Sequence, residues 1–278
     1  MRHIELKDGT IYNFENMKIM GILNATDDSF FPGSRVPNVD NAVNRAMKMI
    51  EDGADILDIG GESTRPGSDP VTVEEEIGRV VPVIKGIREK NKDILISIDT
   101  YRSQTAEEAI KAGADIINDI SAMTFDENMV DISLKYNVPV ILMHIKGTPK
   151  NMQKNPHYDD VVKEVKDFLE ERINFALKKG IKKDKLILDP GIGFGKNFDH
   201  NMKLIKEIDE FLVFDLPLLL AVSRKSSIGE ALGGVPVEQR LEGTIAVSCY
   251  AALKDVDIIR VHDVLENSRA IKMTEVLK

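Results

Sequence analysis

Eight short apolar runs rich in β-branched residues, most followed by a polar loop and a stretch of 3.6-residue periodicity, constrain this chain more than any other feature. They are KIMGIL (18 to 23), DILDIG (55 to 60), ILISID (94 to 99), DIINDI (115 to 120), VPVILMH (138 to 144), KLILD (185 to 189), LPLLLAV (216 to 222) and DIIRVH (257 to 262). Being apolar nearly throughout, they suit parallel strands covered on both faces. The helical stretches include VDNAVNRAMKMIEDG, VEEEIGRVVPVIKGI, TAEEAIKAG, VVKEVKDFLEERINFALKKG and LENSRAIKMTEVL, and Gly53, Gly113 and Gly180 close three of them. Eight such units in 278 residues predict an α/β fold, a closed (β/α)8 TIM barrel, ahead of an open doubly wound sheet. No Pro/Ser-rich linker or charge block interrupts the pattern, so residues 1–278 read as a single domain.

A net charge of −9 argues against sequence-independent binding to nucleic acid, which needs a basic surface to release counterions. The single Cys249, in the run AVSCYAAL, forbids an intrachain disulfide and reads as a buried thiol. The segment MRHIELKDGTIYNF is polar, and no apolar run approaches ~18 residues, so neither secretion nor membrane insertion is expected and a cytoplasmic setting is.

In a barrel of this kind the active site lies where the strands end. Asn24, Asp58, Asp99, Asn118, Asp119, His144, Asp189, Arg224, Lys225, Arg260 and His262 occupy such positions. Arg260 and His262 on the last strand and Asn24 on the first become neighbours on closure. A guanidinium fork and an imidazole match phosphate oxygens, and an amide oxygen suits Mg2+, which points to bound diphosphate. The plainer alternative pairs Arg260 with a nearby acid and lets His262 cap the helix near Asp263. Asp99, Asp189 and Asn118 offer acceptors for a guanidine-like heterocyclic edge, and Lys225 can donate to a ring carbonyl, together a slot for a pterin-like or purine-like ring. Its alternative is an internal Lys225–Asp189 ion pair.

The five histidines include no His-x-His pair, so zinc is not expected. The string DPGIGFGK places Lys196 where a dinucleotide fingerprint needs its third glycine; its glycines suit close approach to a flat ligand, with Phe194 as a stacking wall. The loops NATDDSFFPGSR (24 to 35) and GGESTRPGSDP (60 to 70) have the composition of lids over such a site or of ordinary solvent loops.

Taken in order, MGILNATDDSFFPGS, DIGGESTRPGS, SIDT, INDIS, LMH, LDPGIGFGK, SRKS and RVHDV resemble the dihydropteroate synthases, members of the pterin-binding barrel family, over nearly the whole chain. The resemblance implies a transferase of folate biosynthesis that joins 6-hydroxymethyl-7,8-dihydropterin diphosphate to p-aminobenzoate and releases diphosphate with Mg2+ present. It implies a pterin slot of Asp99, Asn118, Met143, Asp189 and Lys225, and a diphosphate site of Asn24, Arg260 and His262, with Asn24 on the metal. Phe30, Thr64, Arg65, Pro66, Phe194 and Ser226 fall on the p-aminobenzoate side and in the closing loops. A homodimer and competition by sulfonamides are implied as well, and the apolar stretch around Cys249 is a candidate interface or a barrel-packing face. The first loop departs from the family pattern at Asp27, Phe31 and Pro32, so an acidic partner for Arg65 is either missing or supplied by Asp27. A pterin-binding methyltransferase of the same barrel family is the alternative reading, followed by a Schiff-base aldolase using Lys225 and a binding module without activity.

Overall fold

Two short strands, β1 (His3–Glu5) and β2 (Ile11–Asn13), form an antiparallel hairpin ahead of the eight apolar runs. In the computed structural model, which describes residues 1–25, 39–64 and 67–278, those runs become β3 (Lys18–Asn24), β4 (Ile56–Gly60), β5 (Leu95–Asp99), β6 (Ile116–Asp119), β7 (Val140–Met143), β8 (Leu186–Asp189), β9 (Leu219–Leu220) and β10 (Ile258–Val261). All pair in parallel, in the order β8-β7-β6-β5-β4-β3-β10-β9. A parallel bridge between Leu188 and Leu218 joins the two ends of the sheet. The expected (β/α)8 barrel is the observed fold.

The helices are α1 (Val39–Glu51), α2 (Val73–Lys90), α3 (Ser103–Ala112), α4 (Met129–Tyr136), α5 (Val161–Lys179), α6 (Phe198–Lys206), α7 (Ser226–Ala231), α8 (Leu241–Leu253) and α9 (Val264–Leu277). Local chemistry sets their ends. Thr72 caps α2 by accepting from the Glu75 amide at 3.2 Å, with three glutamates in the first turn and Arg88 and Lys90 in the last, as the helix dipole favours. Asp160 caps α5 through the amides of Val162 and Lys163.

Alternation along each strand divides the apolar residues into two cores. Outward-facing Leu57, Ile59, Ile96, Ile98, Ile117, Leu142 and Leu188 pack under the helices. The inward members Met20, Ile56, Leu95, Ile116, Ile141, Ile187, Leu219 and Ile258, one from each strand, meet Ile4 and Phe14 of the hairpin segment. The hairpin therefore plugs the end of the barrel where the strands begin, which the polar N-terminal sequence did not announce. Cys249 corrects an expectation: it is half-buried rather than buried. The inner stripe of α8 runs through Thr244, Ser248, Ala251 and Ala252, and Cys249 lies one step around the helix from it. No helix among the described residues is long and apolar enough to cross a membrane.

Candidate active site

Two residues beyond the apolar floor, the same strand faces become polar. Ile56, Ile116, Ile187 and Ile258 lie in the floor, and Asp58, Asn118, Asp189 and Arg260 follow them at i+2 on alternate strands of the barrel. Alternate strands supplying four side chains to one layer is the regular filling of a (β/α)8 interior. Here the layer is charged and has to satisfy itself or a ligand.

It does so in part. Asp58 Oδ2 accepts from Arg260 Nε at 2.6 Å and from Asn118 Nδ2 at 3.0 Å, while Arg260 Nη2 donates to Asp99 Oδ2 at 2.8 Å. Asp58 Oδ1, Asp99 Oδ1 and Asn118 Oδ1 are buried and accept nothing from the described residues. A buried acceptor without a donor costs about 1–3 kcal/mol, so three of them together mark a place for a ligand rich in N–H groups. Burial pushes the Asp99 carboxyl up to about 7, with Arg260 opposing and the Asp58 charge adding. Burial also raises Asp189, against Lys225 and the Gly191 amide that donates to its Oδ1 at 2.7 Å.

Lys225 does not form the ion pair with Asp189 that was its plainer alternative. Its Nζ donates to the Ile192 carbonyl and lies 4.8 Å from the centre of the Phe194 ring. Burial brings its pKa down to about 8, with Asp189 holding it up. Arg260 takes up the acid pairing that its sequence position allowed, yet Nη1 has no hydrogen-bond partner among the described residues. The His262 amide donates to Ser223 Oγ at 3.1 Å, and its Nδ1 lies 3.0 Å from the same oxygen. Met143 is buried with Ile120, Ile145 and Met152, and Phe194 packs against that cluster. Thr64 is half-buried and Ser226 exposed, the latter opening α7 directly after Lys225. Phe30, Arg65 and Pro66, with Asp27, Phe31 and Pro32, lie outside the described residues.

Asn24 ends β3 opposite Gly60. No group of three or more His, Cys, Asp or Glu side chains among the described residues is arranged to hold a metal. A single amide oxygen such as that of Asn24 is a donor of the kind Mg2+ accepts, since that ion commonly keeps waters and takes few protein ligands.

Sequence reading placed Asp58 among the strand ends facing the mouth but assigned it no role, although it stands there as Asp99 does. It also missed the brace under the second loop. Glu62 accepts from the Val71 amide at 3.0 Å, from Tyr101 Oη at 2.7 Å and from Arg102 Nη2 at 2.7 Å, and Arg102 Nη1 reaches Glu76 at 2.6 Å. The signal was present in the glutamate of GGESTRPGS.

Residues 20–262 match the model of the pterin binding enzyme family. A dihydropteroate synthase of Clostridium beijerinckii is 48% identical over 264 residues, 95% of each chain. The structure of Yersinia pestis dihydropteroate synthase with a sulfonamide drug complex superposes with a TM-score of 0.92 at 41% identity, covering 99% of this chain and 98% of the other. That of the Xanthomonas albilineans dihydropteroate synthase with 4-aminobenzoic acid gives 0.91 at 40% identity, covering 99% and 97%. With the barrel, the polar layer above its floor and these likenesses together, the chain belongs to the pterin-binding enzyme family, among its dihydropteroate synthases.

Proposed function

We propose that the mouth of the barrel condenses 6-hydroxymethyl-7,8-dihydropterin diphosphate with p-aminobenzoate to give 7,8-dihydropteroate and diphosphate, with the following division of labour. The observation that carries it is the set of buried acceptors on Asp58, Asp99 and Asn118 that have no donor among the described residues, beside an Arg260 Nη1 that has no partner among them either. Asp99, Asn118 and Asp189 take the N–H edge of the dihydropterin, Lys225 donates to its carbonyl, and Met143 packs on its face. Arg260 and His262 receive the diphosphate. Asn24 would hold Mg2+, which when bound would supply neutralising charge to the departing diphosphate.

The bond between the pterin methylene and the diphosphate oxygen breaks with its electron pair on the leaving group, whose growing charge Arg260 and His262 meet. The electron-rich dihydropterin, fixed by its carboxylates, delocalises the cation left behind. The arylamine of p-aminobenzoate, with Phe194, Thr64 and Ser226 on its side and Phe30, Arg65 and Pro66 assigned to it by the sequence resemblance, then attacks the methylene and gives up a proton to solvent. No side-chain nucleophile is needed.

Diphosphate release from the dihydropterin diphosphate that depends on added p-aminobenzoate tests the reading; release without it, or none, overturns it. Sulfonamides should raise the apparent KM for p-aminobenzoate, and inhibition independent of its concentration refutes a shared site. Arg260→Glu should abolish turnover while dihydropterin binding stays measurable. We further assign the chain to a homodimer, on the apolar side chains Leu253 of α8 and Met273 and Val276 of α9, which are 54%, 55% and 80% exposed. Light scattering at twice 31.0 kDa would support the dimer and the monomer mass would exclude it. The cytoplasm, where the lone thiol of Cys249 stays reduced, is the assigned compartment, to be checked by cell fractionation.

A further inference from the structure

Five consecutive carbonyls in the loop between β8 and α6 accept hydrogen bonds from side chains. Lys196 Nζ donates to Gly191 O at 2.8 Å and to Phe194 O at 3.0 Å, Gln153 Nε2 to Gly193 O at 2.6 Å, Tyr158 Oη to Gly195 O at 2.9 Å, and Lys225 to Ile192 O. Two of these donors are lysines. Lys225 faces the ring slot, and Lys196, 2% exposed, is sealed behind the loop with its third contact on His144 Nδ1 at 2.8 Å.

We propose that Lys196, seated on His144, is a positioning residue for Lys225: by fixing the carbonyls of Gly191 and Phe194 it aims the Ile192 carbonyl between them and the Phe194 ring at the Lys225 ammonium. Packing alone does not account for a lysine here. An ammonium surrounded by neutral acceptors, with no acid at ion-pairing distance among the described residues, carries a desolvation cost that a methionine of similar length would not. What the ammonium provides is three donors in three directions, one for each acceptor.

The bracing does not depend on where the proton resides. Burial lowers the pKa of both Lys196 and His144. As an ammonium, Lys196 donates to Nδ1; as an amine, it accepts from Nδ1–H and keeps two protons for the same two carbonyls. The loop is also laid tightly on the segment that follows β7: a Cβ at Gly191 would collide with the His144 carbonyl oxygen, and one at Gly195 with that of Lys146. The His144 amide in turn donates to Asp189 O at 3.1 Å, so loop, Lys196, His144 and β8 form one connected unit.

The inference rests on Lys225 facing substrate, as in the function proposed above, and a double-mutant cycle on the full-length enzyme tests the two separately. Lys196→Met should lower kcat/KM about tenfold or more in the wild-type background and less than about twofold in a Lys225→Met background, because a residue that acts through Lys225 has nothing left to position. Equal losses in both backgrounds, or none in the first, would overturn the inference while leaving the function standing. Full turnover by Lys225→Met itself would overturn the substrate-facing role of Lys225 and the inference with it. Melting curves establish that each variant is folded, and if Lys196→Met is not, Lys196→Leu, which likewise removes the donors to the carbonyls, enters the same cycle with the same criteria.

Discussion

Arg260 Nε lies 2.6 Å from Asp58 Oδ2, although β3 separates their strands in the sheet. The contact crosses the barrel interior rather than running along neighbouring strands. It makes Asp58, which is fully buried, the hub that holds Arg260 and Asn118 in one plane of the mouth. Asp58→Ala should destabilise the protein by about 3 kcal/mol in urea unfolding, because it leaves a guanidinium with half of its pairing. A loss below about 1 kcal/mol would show that Asp99 alone suffices for Arg260.

Asp99 should make both stability and pterin binding depend on pH, in opposite senses. Its folded-state carboxyl is pushed up from 3.8 to about 7, so between those values the folded chain holds a proton that the unfolded chain has lost. Stability falls with rising pH wherever the folded state binds more protons, so the Asp99 contribution is full near pH 4 and has declined by pH 7. Asp99→Asn should flatten that slope. Dihydropterin needs the carboxylate as acceptor, so its affinity should weaken as pH drops below about 7; calorimetry from pH 8 to 5.5 showing constant affinity would remove Asp99 from the slot.

Gly191 and Gly193 should separate stability from function. Both have φ in the left-handed region, 70° and 83°. A Cβ at Gly191 meets backbone, whereas one at Gly193 meets Lys225 Cδ at 3.3 Å. Gly191→Ala should therefore cost several kcal/mol, roughly 3 or more, in unfolding free energy. Gly193→Ala should cost nearer ~1 kcal/mol while cutting kcat/KM by displacing Lys225. Equal stability losses would contradict this assignment of the contacts.

Ile4 should matter for the fold and not for the chemistry. It is fully buried in the floor cluster, at the opposite end of the strands from the mouth. Ile4→Ala should lower stability by about 2–4 kcal/mol and leave both KM values within twofold. A larger change in KM would mean that the floor communicates with the site.

Much of this was legible in the sequence, for a physical reason. Parallel strands under helices are apolar on both faces, so a polar residue at a strand end stands out, and Asn118, Asp189 and Arg260 were found in that way. The hairpin was not, because three-residue strands carry no periodicity and the cluster that Ile4 joins is drawn from all eight strands, far along the chain. Lys196 was noticed only as an interruption of a glycine motif; a lysine in a polar loop reads as solvated until its acceptors are seen. Asp58 shows a different limit: a strand-end carboxylate is visible in sequence, but its use as a hub depends on a cross-barrel distance.

The closure of the barrel has one more consequence. Between β8 and β9 the sheet is joined by the single Leu188–Leu218 bridge and the Leu188 amide on Pro217 O at 2.9 Å, and Pro217 offers no amide of its own. Asp189 stands on one side of this seam and Lys225 on the other. In native-state hydrogen exchange the Leu188 amide should open with a lower free energy than the zipped amides of β4 and β5. The two halves of the proposed ring slot thus sit on the most weakly stitched edge of the cylinder, where the Lys225 bond to Ile192 acts as a staple across the gap.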